Sequence, residues 1–218
     1  PILLSKKILT LDYLVITHPH GDHIGGASAI VENFNVRNIL TNRDLLSNTS
    51  GIEFFEAAIK KGISIHLLKE GDAISLDEGF ILSVFNPPRN FLFEDINDNS
   101  LVFKLSYRNV SFLFTGDITE KVETHLVLNR SPLRADCLKV PHHGSSYSSS
   151  PFFLHQVNPK IAVLSGSQVT NMPSKKVMEV YDSMGITLLK TYEHGCVSIC
   201  TDGMKIKVKT YARGAHEL

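Results

Sequence analysis

Among the 218 residues there is no apolar run approaching the roughly 20 needed to span a bilayer, and no charged-then-apolar leader precedes the first strand-like segment. We therefore expect a soluble piece of protein. Charge of either sign is not in excess: 22 Lys and Arg balance 22 Asp and Glu, so no overall field draws the chain to nucleic acid, although the tail "KIKVKTYARGAHEL" is locally basic. That balance neither supports nor excludes a polyanionic substrate. Cysteine is scarce and odd in number. Cys137, Cys196 and Cys200 sit in apolar, strand-like stretches, which reads as buried free thiols in a reducing compartment rather than a disulfide framework. Also missing are an internal repeat, a linker convincing enough to cut the chain, and an interleaved aromatic and basic track of the kind that binds single-stranded nucleic acid. A single domain over residues 1–218 follows from the length. The chain starts at Pro1 without Met, in what reads as a helix-to-strand connection, so we expect the native N-terminus to lie upstream.

What is present is an alternation of strands and helices. "LDYLVIT" reads as a strand buried on both faces. "ASAIVENF", with Ala27, Ile30, Val31 and Phe34 at helical spacing, reads as an amphipathic helix. "VRNIL", the helix "EFFEAAIKKG" stopped by Gly62, and the strand "ISIHLL" follow. "AISL" and "FILSVF" are joined by the turn-like "DEG". "SLVFKLSYRNVSFLFTGD" is a hairpin, with Leu101, Phe103 and Leu105 on one arm and Val110, Phe112 and Phe114 on the other. Beyond it, "ITEKVETHLVL" is helical, with Thr119 as cap and Val122, His125 and Leu126 on one face. "DCLKV" is a strand, Pro151 opens the short helix "FFLHQV", "KIAVLSGS" is a strand, and "SKKVMEVYDSMG" is a helix closing on Gly185. The strand "ITLLK" and a hairpin turning at Asp202-Gly203 complete a layered α/β protein with mixed sheets.

Chemistry concentrates at three strand ends. In "VITHPHGDHIGG", His18 and His20 are two apart on an extended segment and point the same way. Asp22 and His23, past the small Gly21, sit where the chain turns and can reach a neighbouring ion. Mixed imidazole and carboxylate ligands suit Zn²⁺, Mn²⁺ or Fe²⁺, and two ions about 3.5–4 Å apart can clamp an attacking hydroxide and a leaving oxygen. Asp117, at the end of "FLFTGD", is placed to bridge them, and "VPHHGSS" supplies His142 or His143. Three candidates for substrate contact have plain alternatives. Lys139 in "CLKVPHHGS" faces a phosphate or lies on an exposed strand position, Ser145 and the serine tract are most simply loop, and His194 lines the site or belongs to a loop. His66, His125, His155 and His216 read as structural or surface residues.

With HxHxDH, TGD and HHGS in order, the chain resembles the metallo-β-lactamase superfamily, and within it the soluble nuclease-like domain of ComEC-type DNA-uptake proteins. "LDYLVITHPHGDHIGG", "NDNSLVFKLSYRNVSFLFTGDITEKVE", "DCLKVPHHGSSYSSS" and "GCVSI" carry the likeness. The resemblance implies an αββα sandwich with a dinuclear metal site at its edge, and phosphodiester hydrolysis, most simply of DNA. Three departures stand out. The family's opening hairpin with "DVGQGDA" and the following "DTG" are not here, so one sheet is expected to be incomplete. Where many members carry another histidine this chain has "NDNS", which leaves Asn99 as a weak ligand. The late "HP" is "NMP" here, with Met172 at the histidine position.

The reading is a metal-dependent hydrolase. His18, His20, Asp22, His23, Asp117 and His142 or His143 hold two divalent ions, Zn or Mn, and Asp22 and Asp117 are the catalytic carboxylates. Two rivals are kept: a hydrolase of a small ester, lactone or thioester on the same scaffold, and a DNA-binding module of a membrane uptake channel with vestigial catalysis. The compartment follows the choice, cytoplasm for a free-standing enzyme and cell envelope for a domain attached to a membrane channel. Oligomeric state is left open.

Overall fold

The computed structural model describes residues 2–76, 79–167 and 172–211. The chain divides into two compact units, residues 1–70 with 87–101 and residues 71–86 with 102–218.

In the first unit, β1 (Thr10–Val15), β2 (Asn35–Thr41) and β3 (Ser64–Leu67) form a parallel sheet in that order. Parallel neighbours need crossovers, and two helices supply them: Ala27–Asn33 between β1 and β2, and Thr49–Lys60 between β2 and β3. Ala27 and Val31 from the first helix and Phe54 and Ala58 from the second meet Val36, Ile39 and Ile63 in one apolar core. The longer helix starts before the predicted "EFF", because the Asn48 side chain accepts from Gly51 N (2.9 Å) and caps it there.

The double burial expected of "LDYLVIT" is not found. Among the described residues β1 pairs with β2 alone, Asp12 and Tyr13 are exposed, and Arg37 of β2 donates to the Asp12 carboxylate. Among the described residues, Leu11 and Leu14 of β1 pack on this core. A run of apolar letters does not report how many neighbours a strand has.

In the second unit, β4 (Ala73–Ser75), β5 (Phe80–Asn86), β6 (Val102–Tyr107), β7 (Val110–Phe114), β8 (Cys137–Lys139), β9 (Ile161–Leu164) and β10 (Thr187–Lys190) form one sheet, antiparallel from β4 to β7 and parallel from β7 to β10. The predicted hairpin is β6 and β7. Phe103 pairs with Phe114 and Leu105 with Phe112, on the arms as expected. Helices Glu120–Leu128, Pro151–Val157 and Lys175–Ser183 make the parallel crossovers, burying Val122, Leu126, Phe153, Leu154, Val177 and Tyr181. On the first of them Glu123 is buried, where the spacing had suggested His125. His125 is half-buried and shares a hydrogen bond with Asn129. A separate antiparallel pair, β11 (Val197–Thr201) and β12 (Ile206–Thr210), turns at Asp202-Gly203 as predicted. Asp77 and Glu78 of the "DEG" turn, and His216 of the tail, lie outside the described residues.

The thiols also differ from expectation. Cys137 is buried, but Cys196 and Cys200 are exposed; Cys200 is on the outer face of β11, whose other residues are half-buried. Among the described residues no helix is long and apolar enough to cross a membrane.

Candidate metal centre

The first unit assembles "HPHGDH". The extended chain beyond β1 carries His18, which is fully buried, then turns into one helical turn, Gly21–Ile24. His20 O accepts from His23 N and Ile24 N at 2.9 Å each, and this folds His23 back toward its neighbours. The His18 ring centroid lies 4.1 Å from that of His23 and 4.9 Å from that of His20. Asp22 is exposed, with Oδ2 3.8 Å from His23 Nε2.

Each imidazole has a polar partner at Nδ1. Thr17 Oγ1 and Ser100 Oγ approach His18 Nδ1 at 3.1 and 3.2 Å, and Thr17 Oγ1 is 3.4 Å from His23 Nδ1. His20 Nδ1 meets Asn97 Oδ1 at 2.9 Å. An amide oxygen only accepts, so Nδ1 of His20 carries the hydrogen and Nε2 keeps the lone pair. Outer partners that fix the tautomer and aim Nε2 are the usual surroundings of metal-binding histidines, and this donor set fits a divalent cation.

The "NDNS" stretch thus reaches the site through Asn97 and Ser100, which sequence reasoning passed over. Asn99 is occupied elsewhere. It is 1% exposed, donates to Asp44 Oδ2 (2.6 Å) and Phe93 O (2.8 Å), and accepts from Phe93 N (2.7 Å). Its amide holds the loop, and the weak-ligand role foreseen for it is not supported. Pro19, between the two histidines, is held by Asn48 Nδ2 donating to its carbonyl (2.8 Å). Gly51, in the first turn of the neighbouring helix, packs so closely that a Cβ there would lie 1.7 Å from Leu45 O and 3.1 Å from Pro19 Cβ.

The second unit assembles TGD and PHHGS. Thr115 Oγ1 donates to Lys139 O (2.9 Å), tying the turn after β7 to β8. Asp117 is buried, and its Oδ2 is 3.3 Å from His143 Nε2. His143 Nδ1 lies 2.7 Å from Ser165 O, a carbonyl that only accepts, so this ring too is hydrogen-bonded through Nδ1–H. Two ligand atoms each about 2.0–2.1 Å from a tetrahedral ion stand about 3.3 Å apart. The Asp117–His143 spacing matches. The hydrogen bond to Asp117 raises the His143 pKa above its ordinary value against the opposing effect of burial.

The backbone at PHHG is strained. His142 and His143 have φ of 46° and 52°, followed by Gly144 at 78°; left-handed geometry costs a non-glycine residue about 1–2 kcal/mol. His142 N donates to Gly116 O (3.2 Å), Ser174 N to Gly144 O (2.9 Å), and Ser148 Oγ to Pro141 O (3.1 Å). Of the substrate-side candidates, Lys139 is half-buried and its ammonium donates to Val140 O (2.8 Å). Ser145 is buried, its Oγ accepting from Tyr147 N (3.3 Å), and His194 Nδ1 lies 3.1 Å from both Lys190 N and Lys190 O. His66 and His155 are exposed, as expected of surface residues.

The burial of Glu123 was not anticipated. Glu123 is 0% exposed and accepts from Ser149 N (2.5 Å) and Ser150 N (2.8 Å). Burial pushes its pKa from 4.5 up to about 7, against hydrogen bonds from Ser150 and Ser149 that favour the charged form. On raising the pH, the unfolded chain gives up this proton first. The associated stability is therefore complete below about 4.5 and lost by about 7. The denaturant midpoint of wild type should fall relative to Glu123→Gln across that window and run parallel outside it. Parallel curves throughout would show an ordinary carboxyl.

Residues 1–168 match the family model of the metallo-β-lactamase superfamily. The chain is 30% identical over 202 residues to ComE operon protein 3 of Bacillus subtilis, covering 90% of this chain and 25% of that protein. It is 28% identical over 179 residues to Recombination protein 2 of Haemophilus influenzae, covering 81% and 20%. It is 27% identical over 202 residues to Competence protein ComA of Neisseria gonorrhoeae, covering 88% and 25%. The chain thus spans a quarter or less of these relatives. Among solved structures, it resembles CmlA, a diiron β-hydroxylase from Streptomyces venezuelae, with TM-score 0.55 and 11% identity over 83% of this chain and 44% of that one. It also resembles Zn²⁺-bound PqqB from Methylobacterium extorquens, with TM-score 0.54 and 9% identity over 82% and 71%. At such identities the likeness is one of fold.

Proposed function

Because this chain belongs to the metallo-β-lactamase superfamily, we propose that it is a metal-dependent hydrolase whose dinuclear centre cleaves phosphodiester bonds in DNA. The observation that carries the reading is the convergence of the His18, His20 and His23 rings, each with a polar partner on Nδ1. The words competence and recombination in the names of the relatives favour DNA over a small ester.

His18 and His20 would hold one ion, Asp22, His23 and His143 the other, and Asp117 would be shared. His143 is preferred to His142 because its Nε2 is the atom set against Asp117. Zn or Mn bound there supplies water acidic enough to act as a nucleophile near neutral pH, and Lewis-acid stabilisation of phosphoryl oxygens. The chain's own groups do the rest. Asp117 brings the negative charge that lets two cations sit together. Asp22, exposed beside His23, orients the nucleophile or takes up its proton. Lys139 meets a phosphate if its ammonium leaves the Val140 carbonyl, and Ser145 and His194 complete the substrate side. The full protein would set this single domain beside a membrane channel at the cell envelope; a free-standing enzyme would be cytoplasmic.

The test offers purified protein a DNA oligonucleotide, a chromogenic bis-phosphodiester, and a chromogenic ester and lactone. Expected is cleavage of the first two, abolished by chelation and restored by Zn²⁺ or Mn²⁺. Turnover of the ester or lactone alone overturns the DNA reading, and oligonucleotide binding without any turnover overturns the enzyme.

A further inference from the structure

Resting on that reading, we propose that Glu123 is a positioning residue for His143, acting through the serine tract that follows it. In sequence "SSYSSS" is a plain loop. In the fold Ser148, Ser149 and Ser150 are all buried, and each is individually held. Ser148 Oγ lies 3.1 Å from Pro141 O and 3.0 Å from Ser145 O, clasping both sides of the HHG turn. Ser149 Oγ meets Tyr181 OH at 3.2 Å, and Ser150 Oγ caps the helix Pro151–Val157.

The anchor of this tract is the start of helix Glu120–Leu128. Glu120 N donates to Tyr147 O (2.7 Å), and the two Glu123 oxygens accept from Ser149 N and Ser150 N. Ser149 has φ of 63°, the left-handed turn that aims consecutive amides at one anion. The two amides meet different Glu123 oxygens, both acceptors in the carboxylate that forms above about pH 7, whereas a carboxamide would set its NH2 against one of the two donors. The same helix begins three residues after Asp117, so it governs both members of the Asp117–His143 pair.

Left-handed conformations at His142, His143 and Ser149 have no intrinsic support in non-glycine residues and persist only while neighbours impose them. Glu123 supplies the imposition: without it the tract relaxes, the Ser148 clasp on Pro141 loosens, and His143 Nε2 drifts from Asp117.

The experiment compares wild type, Glu123→Gln and Leu126→Ala, a core truncation on the same helix, by calorimetric titration with Zn²⁺ alone and by the imidazole NMR signals of the metal-free proteins. In Glu123→Gln, one zinc ion should bind about 10–100-fold more weakly and the His143 signal should move, while the His18 and His20 signals stay. Leu126→Ala should lose stability with zinc affinity kept. A folded Glu123→Gln with wild-type zinc affinities and an unmoved His143 signal overturns the proposal. Should Glu123→Gln not fold, amide exchange in wild type decides: Ser149 and Ser150 protected like Leu138 support the clamp, and exchange at solvent rates overturns it. A wild type that binds no zinc defeats the metal reading instead, and the His143 signal then still decides the clamp.

Discussion

Asp117→Asn should lose nearly all hydrolytic turnover while keeping its fold. The substitution preserves side-chain shape at a buried position and removes the one charge proposed to hold two cations together. Metal stabilisation of a transferring group is worth several kcal/mol and each 1.36 kcal/mol is tenfold, so the loss should be on the order of 10³-fold. Rates compared at matched metal content separate this from simple metal loss. A second reading comes from the same variant: since the Asp117 hydrogen bond is the leading cause of the raised His143 pKa, that pKa should fall on titration by NMR. Near-wild-type turnover at equal metal content would end the dinuclear proposal.

Asn99→His should unfold the protein more readily rather than improve its metal binding. From the sequence alone, histidine at 99 looks like the missing ligand restored. The Asn99 amide is instead spent on Asp44 and on both backbone groups of Phe93, in a site with almost no exposure. A bond to a charged group is worth about 1.5–3 kcal/mol and a neutral one about 1, so roughly 3–5 kcal/mol is at stake. At about 2–4 °C per kcal/mol for a chain of this size, the melting temperature should drop by about 6–20 °C. An unchanged melting temperature with a tighter zinc site would show that position 99 is open to the metal after all.

The contrast between Asn97 and Asn99 marks where sequence stopped being informative. Strand and helix periods placed His18, His20, Asp22, His23, Asp117 and the His142-His143 pair at the ends of strands, because period and element end are local properties; which of the two adjacent histidines meets Asp117 was left open. Which of the four adjacent polar residues in "NDNS" turns toward His20 depends on a short 3₁₀ turn, Asn97–Asn99, and on a contact spanning 77 positions. Glu123 is hidden for the same reason. On a helical wheel it borders the apolar stripe and reads as solvated, and only Ser149 and Ser150, 26 and 27 positions away, make its burial tolerable. The exposure of Asp12 and Tyr13 on β1 likewise depends on which strands lie alongside, which no window of residues contains.

Gly51 sets a limit on redesign. Anyone wishing to widen or re-aim the His18–His20 pair would look first to the helix beside Pro19, where Gly51 is a buried position in the first turn, since glycine in a helix ordinarily gains stability on replacement by alanine. Here even one methyl group would have to displace the Leu45 carbonyl and would crowd the Pro19 ring. Both neighbours are wired in, Pro19 through Asn48 and Leu45 through its place in the core. The spacing between the two imidazoles is thus guarded by an atom that is absent, and a substitution library at 51 would return glycine from a position that carries no chemistry of its own.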